Sequence, residues 1–351
     1  MSRRGDRRRA RRRVRRRVGH PARRNRPARL IATLALLLAP LAVAAAAYVT
    51  LGSDDGGGRA SGLPIAVHTP AARQAPEETR EPAPAPARPP AARVSLDGVD
   101  SFHLRLRKPP RAGLVFDVDT GEVLWRREPM RVLSIASLTK IMTALLVVER
   151  TRPEEPVRIT QAALDYTGSG IGLLPKGRRV RLEALLNGLL IVSGNDAAIA
   201  LAGHLSGNER RFVALMNRRA RAWGLGCTRF ASPHGLERGN RSCARDLAVL
   251  TRLAMTKPRI RRIARRRQAE LRFPIKGGKL YLSGHNPLMR MDYRGAIGLK
   301  TGYTDDAGRC FVGVARRNGR RLGVVLLDSR DPGRHAPKLL DAGFAISTAE
   351  R

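Results

Sequence analysis

The chain has 351 residues and a formal net charge of +38, with 67 basic residues against 29 acidic ones. Three cysteines without a C-x-x-C pair, and seven scattered histidines without an H-E-x-x-H spacing, leave neither a complete disulfide framework nor a metallopeptidase motif. The charge implies attraction to anionic surfaces such as lipid headgroups or acidic wall polymers, although an arginine bias with only eight lysines is also what a GC-rich genome produces.

Residues 1–29 hold fifteen arginines and one acid, Asp6. Such a segment repels itself and has almost nothing to bury, so it is expected to be disordered. It lacks the interleaved aromatic residues on which bases stack, so no nucleic acid is expected as a partner. Leu30 to Leu51 is a 22-residue stretch without charge, long enough as a helix to cross a hydrocarbon core of about 30 Å. The arginines before it put that end in the cytoplasm. Two readings stay open. One is an uncleaved anchor, favoured by length; the other is a secretory signal with A-x-A-like sites at Ala42-Val43-Ala44-Ala45-Ala46. A twin-arginine export signal is a third, weaker one. Each places residue 100 onward outside the cytoplasm. The stretch from 52 to about 105, rich in Pro, Ala and Gly, reads as an extended, semi-rigid linker.

The globular part begins near Pro109. Ala112–Val118 and Val123–Trp125 flank the turn Asp119-Thr120-Gly121-Glu122 and read as a hairpin. A helix is expected from Ser137. Further helices are expected over Leu182–Ile191, Asp196–Leu205, Glu209–Trp223 and Asp246–Met255, the third with Phe212, Leu215 and Met216 at core spacing. Ala296–Lys300 reads as a strand, and Cys310–Ala315 with Arg321–Leu327 as a hairpin around Asn318-Gly319. Pro337–Ala345 closes with a helix. Strands at both ends with helices between predict an α+β domain whose single antiparallel sheet is built from both termini.

Three short motifs carry chemistry. In Ser137-Leu138-Thr139-Lys140 a serine lies one helical turn from a lysine. Serine needs a base to act as a nucleophile. Lysine serves only when neutral, which requires burial or a second cation nearby. The apolar run after Lys140 offers the first and Lys300 the second. The first turn of a helix also offers unpaired N–H groups suited to an oxyanion. Ser193-Gly194-Asn195 sits between two apolar helices, where Ser193 would relay a proton and Asn195 would bind a substrate amide. In Lys300-Thr301-Gly302, at a strand end, Lys300 and Thr301 would hold a carboxylate, and Gly302 lets an extended peptide approach. Alone, each motif fits an ordinary capped helix or solvated strand end. Their order, with gaps of 56 and 107 residues, is the S-x-x-K, S-x-N, K-T-G set of penicillin-recognising enzymes.

With these motifs, and with Asp119–Leu124, Ser232-Pro233-His234-Gly235-Leu236 and Gly298–Thr304, the chain over about 110–347 resembles the serine-type D-alanyl-D-alanine carboxypeptidases, the low-molecular-mass penicillin-binding proteins. The resemblance implies a β-lactamase/transpeptidase-like fold: a five-stranded sheet with helices on both faces, and a helical subdomain. It makes Ser137 the acyl-ester nucleophile, Lys140 the proton acceptor and Ser193 the relay. It makes Asn195 a substrate-amide contact, Lys300 and Thr301 the carboxylate site, and the N–H groups of Ser137 and Tyr303 the oxyanion hole beside Gly302. An arginine late in the domain, Arg334 or Arg330, is expected to help hold the carboxylate. No cofactor or metal is implied. The implied partners are a peptidoglycan stem peptide, β-lactams as covalent inhibitors, the membrane, and anionic lipid at residues 1–29.

The expected plan is therefore a cytoplasmic tail (1–29), an anchor or signal (30–51), a linker (52–105) and an extracytoplasmic catalytic domain (106–348). The sequence given ends soon after its last predicted helix, so the C-terminal β-rich domain and amphipathic anchor of many relatives are not expected, and the N-terminal segment would replace that anchor. Cys227 and Cys243 bracket the Ser232–Leu236 loop and would form a disulfide outside the cytoplasm; two buried free thiols are the alternative. His234 is expected to pack the loop rather than act as a catalyst. Two other activities stay open: an endopeptidase acting on wall cross-links, and a class A-like β-lactamase. The second would use Glu237, the only candidate for its deacylating glutamate, whose spacing to Asn240 is one residue short.

Overall fold

The computed structural model describes residues 89–346. The arginine-rich tail, the apolar stretch 30–51 and the linker up to residue 88 lie outside them. Among the described residues no helix is long and apolar enough to cross a membrane.

Five strands form one antiparallel sheet: β1 (Ala112–Asp117), β2 (Val123–Arg127), β5 (Ala296–Thr304), β6 (Gly308–Arg317) and β7 (Arg320–Leu327), in the spatial order β2-β1-β7-β6-β5. A smaller hairpin, β3 (Gln268–Arg272) with β4 (Lys279–Ser283), stands apart from it. As expected, the sheet joins an N-terminal hairpin to a C-terminal meander. Pairing of β1 with β7, Leu114 opposite Val325, closes the two together.

All six residues of β1 are buried, which means that both faces of the sheet are covered. Successive side chains point to opposite faces, so Leu114 and Phe116 enter one core while Val115 enters the other. The first core holds α1 (Lys140–Arg150), α2 (Leu182–Asn187), α3 (Asn195–Ser206), α4 (Glu209–Ala222), α5 (Ala244–Thr256) and α6 (Pro258–Ala264). The second is closed by α7 (Pro332–Ala345), whose Ala336, Leu339 and Leu340 pack over Val115, Trp125, Val324 and Leu326.

Two expectations shift. Ser137 lies not in an α-helix but in a 3-10 turn, Ala136–Thr139, ahead of α1. The stretch expected as one helix over Leu182–Ile191 is α2 followed by a π-helical turn, Gly188–Val192. The helix α6 and the β3–β4 hairpin were not expected.

Described residues ahead of 106, the expected start of the catalytic domain, also pack on it. Arg126 donates to Asp100 at 2.7 Å, to Gly98 O at 2.7 Å and to Leu96 O. Arg252, on α5, donates to the carbonyls of Val118, Asp119 and Arg93. These two guanidinium groups hold the segment before β1 against the domain. Cys227 and Cys243 are disulfide-bonded, with Cα atoms 5.6 Å apart, and Cys310 is a buried free thiol.

Candidate active site

Strand β5 brings the third motif against the first. An added Cβ on Gly302 would lie 3.1 Å from the backbone N of Ser137 and 3.0 Å from Ile135 O, so a side chain here would press the strand away from the nucleophile turn by a few tenths of an ångström. The turn is itself tense: Ala136 has φ +48°, a conformation that costs a non-glycine residue on the order of 1–3 kcal/mol and that clusters at functional sites. Ser193 is the second such residue, with φ +65°. It terminates the π turn after α2. The extra residue of a π turn rotates the following chain, a device common at functional sites, and here it directs Ser193 into the cleft.

That cleft, about 530 Å³, is lined by Ser137, Ser193, Thr301, Gly302 and Tyr303 among others. Lys140, Asn195 and Lys300 are buried. All eight residues singled out from the sequence thus come together, five on the surface of the cleft and three in its floor.

The floor surrounds the amine of Lys140 with three oxygens. Its Nζ lies 2.9 Å from Ser137 Oγ, 2.7 Å from Asn195 Oδ1 and 2.7 Å from the carbonyl oxygen of His234. Asn195 is oriented by its own Nδ2, which donates to Thr167 O at 2.6 Å, so its oxygen must face the lysine. Two of the three neighbours of Lys140 are therefore pure acceptors. A neutral amine has two N–H groups and one lone pair. An ammonium would donate to all three oxygens; in the neutral amine the two acceptors take the N–H groups and the lone pair is left for the Ser137 hydroxyl.

Electrostatics favour that state. Burial, and next the positive charge of Lys300, hold the Lys140 pKa well below the usual lysine value, against smaller opposing effects of Asp196 and Glu237. Lys300 is itself lowered to about 7 by burial. Its Nζ donates to Ser193 Oγ at 2.9 Å and to Thr301 O at 2.8 Å.

The wall of the site comes from two loops. Asp196, fully buried, accepts from the N–H groups of Ile171 and Gly172 at 3.0 Å each, which fixes the loop carrying Ser169 at the cleft. On the other side, Thr143 donates to Pro233 O at 2.6 Å, and Ser232 Oγ accepts from Gly235 N and Asn240 Nδ2 at 3.0 Å. Gly235, at φ +95°, can only be glycine, because a Cβ there would run into the carbonyl of Ala136.

This loop presents the His234 carbonyl to Lys140, a contact made by backbone and so invisible as a residue type. The His234 ring packs in the loop as expected. Burial lowers its pKa to about 4, and Glu209 and Glu237 each lie 3.7 Å from it.

Neither Arg330 nor Arg334 lines the cleft. Arg334 is exposed and pairs with Asp331 at 3.3 Å. The arginine in the lining is Arg309, which stands opposite Tyr303 in the β5–β6 ladder and donates to Arg330 O at 2.7 Å. Its signal in the sequence is its place in the first positions of the strand that follows Lys300-Thr301-Gly302. Glu237 is likewise absent from the lining; its carboxylate faces His234 and Asn240.

A serine beside a buried lysine of lowered pKa, facing an open cleft with a second lysine at its rear, defines a serine acyl-transfer site. Residues 110–331 match peptidase family S11, described as D-alanyl-D-alanine carboxypeptidase, and the chain belongs to that family. D-alanyl-D-alanine carboxypeptidase DacF of Bacillus subtilis is 35% identical over 244 residues, 67% of this chain and 62% of that protein. DacB2 of Mycobacterium tuberculosis is 35% identical over 248 residues, 68% of this chain and 84% of that protein. The crystal structure of a D-alanyl-D-alanine carboxypeptidase from M. tuberculosis matches with a TM-score of 0.67 at 32% identity, over 72% of this chain and 97% of the other.

Proposed function

We propose that this chain is a serine-type D-alanyl-D-alanine carboxypeptidase that removes the terminal D-alanine from peptidoglycan stem peptides and is acylated by β-lactams. The observation that carries the reading is the buried Lys140 amine, its pKa lowered by burial and by Lys300, lying 2.9 Å from Ser137 Oγ.

In acylation, Lys140 accepts the Ser137 proton as Oγ bonds to the carbonyl carbon of the penultimate residue. The oxyanion sits at the N–H groups of Ser137 and Tyr303. Ser193 passes a proton to the nitrogen of the departing D-alanine as the C–N bond breaks and is reprotonated from the Lys140 ammonium, which returns to the neutral amine. Water then attacks the ester, Lys140 again takes its proton, and Ser137 leaves as the hydroxyl. The substrate's terminal carboxylate meets Lys300 and Thr301, with Arg309 in the place expected for Arg330 or Arg334. Asn195 orients Lys140; to meet the substrate amide its Nδ2 would have to exchange Thr167 O for the substrate. A β-lactam follows the first half, but its ring nitrogen stays attached, so the ester persists.

The deacylating-glutamate reading loses support because Glu237 stands off the cleft. The plan of tail, anchor and linker, with the catalytic domain outside the cytoplasm and residues 1–29 on anionic lipid, belongs to the same proposal and rests on the sequence alone.

The test measures fluorescent penicillin labelling and D-alanine release from a pentapeptide, with Ser137→Ala as control. The wild type should show both and the variant neither. Equal labelling of the two would refute the mechanism. Cleavage of cross-linked dimers into monomers without D-alanine release from the pentapeptide would show an endopeptidase, and rapid penicillin turnover a β-lactamase.

A further inference from the structure

Away from the active-site cleft lies a second one of about 750 Å³. Arg261, Arg262 and Arg265 enter it from α6 and the residue after it, Arg316 from the end of β6, and Arg321 from β7, against one acid, Asp119. Ile297, near the start of β5, is in its lining, so the same strand that carries Thr301 into the active site borders this cleft at its other end.

Asp119 is already engaged by Arg321, and Arg262 is paired with Glu183 at 3.1 Å. Among the described residues, the guanidinium groups of Arg261, Arg265 and Arg316 have no ion-pair or hydrogen-bond partner. The fold crowds these charges. Arg316 stands directly opposite Arg321 in the β6–β7 ladder, and Arg261 on α6 is four residues from Arg265 at its C-cap; both arrangements are unfavourable for like charges. A concave site that keeps like charges together and unpaired is suited to an anion bearing several negative groups. Arginine's planar fork matches phosphate oxygens two at a time.

We propose that this cleft binds a phosphodiester polymer, a chain of polyol phosphates of the kind that makes a wall anionic, and holds the catalytic domain on that polymer. A chain of phosphates fits the concave shape and the spread of guanidinium groups over three elements. A lipid surface fits less well, because none of the exposed large apolar side chains of the described residues lines the cleft, leaving nothing to insert among acyl chains.

The experiment uses the full chain. Arginines are modified with phenylglyoxal and mapped by mass spectrometry, with synthetic poly(glycerol phosphate), phosphatidylglycerol vesicles, or inorganic phosphate present at equal phosphate concentration. The polymer should protect Arg261, Arg265 and Arg316 about tenfold more than Arg221 and Arg229, which line a separate cavity, and protection should weaken with salt. The R265Q/R316Q double variant should raise the polymer concentration that half-protects Arg261 about tenfold, as expected when two charge-assisted contacts are lost. R221Q/R229Q should leave it unchanged, and neither pair should alter D-alanine release. Uniform protection of all five arginines would overturn the proposal, as would equal protection by inorganic phosphate or by vesicles, or equal effects of the two double variants.

Discussion

Strand β5 borders two clefts whose cations are in opposite condition. At the active-site end Lys140 and Lys300 are buried, and burial is the largest cause lowering the pKa of each. At the other end Arg262, Arg265 and Arg316 are exposed and, as guanidinium groups, stay charged at any working pH. Lysine can trade its charge for basicity when water is removed; arginine in water keeps its charge and offers only attraction. The first end therefore supports proton transfer, and the second only binding.

The sharpest way to break this contrast is Lys140→Ala. It removes the base but leaves Ser137 in its turn, so penicillin acylation should fall roughly 10²–10⁴-fold, the usual worth of general-base catalysis, with cooperative unfolding retained. Acylation within a few-fold of wild type would show that another group takes the proton.

Gly302→Ala tests the geometry. The added methyl would sit 3.1 Å from Ser137 N, beside the N–H proposed to hold the oxyanion. Loss of one such donor costs about 10²–10³ in kcat, and the loss should fall on kcat more than on KM. A purely KM effect would mean that Gly302 serves substrate docking alone.

Much of this end was legible in the sequence because the chemistry there needs particular side chains at particular spacings. Ser137, Lys140, Ser193, Asn195 and Lys300 are such residues. The sheet was legible too, since short continuous apolar runs bounded by Asn318-Gly319 and Asp119-Thr120-Gly121 signal buried strands joined as hairpins. Contributions made by backbone or by tertiary contact were not. The His234 carbonyl has no residue-type signal, and the π turn before Ser193 keeps the apolar pattern of an ordinary helix. The segment at 93–100 reads as linker by composition, yet it is held by Arg126 and Arg252, far along the chain, and by Val94 and Leu96 packing on the core. Arg309 was passed over because it reaches the cleft through its ladder position opposite Tyr303 rather than through a place in any motif.

The Cys227–Cys243 bond closes a loop with a sequence separation of 16 residues around Ser232–Leu236. Replacing both cysteines by serine should destabilise the domain by roughly 3 kcal/mol, read by denaturant midpoint, while the penicillin acylation rate at low temperature stays within a few-fold. A larger loss of rate than of stability would tie the bond to the position of the His234 carbonyl.

The pH profile of acylation separates the two lysines. Lys140 works deprotonated, so kcat/KM should rise as pH passes through its lowered pKa. Lys300 serves the substrate carboxylate as a cation, so in the free enzyme the rate should fall again as pH rises above about 7. Lys300→Gln removes that alkaline limb. It also removes the positive charge that helps lower Lys140, so the acid limb should move to higher pH. An acid limb that stayed in place would mean that burial alone sets the Lys140 pKa.

The smallest effect is expected at the other end of β5. Arg265→Gln removes an exposed side chain that makes no ion pair among the described residues. Surface changes of this kind stay within about 0.5 kcal/mol, and relief of like-charge repulsion with Arg261 points toward slight stabilisation. The denaturant midpoint should hold or rise, and penicillin labelling should be unchanged. A clear loss of stability would show that the arginines of this cleft are held by partners the contrast denies them, and would remove the ground for treating one end as chemistry and the other as attraction.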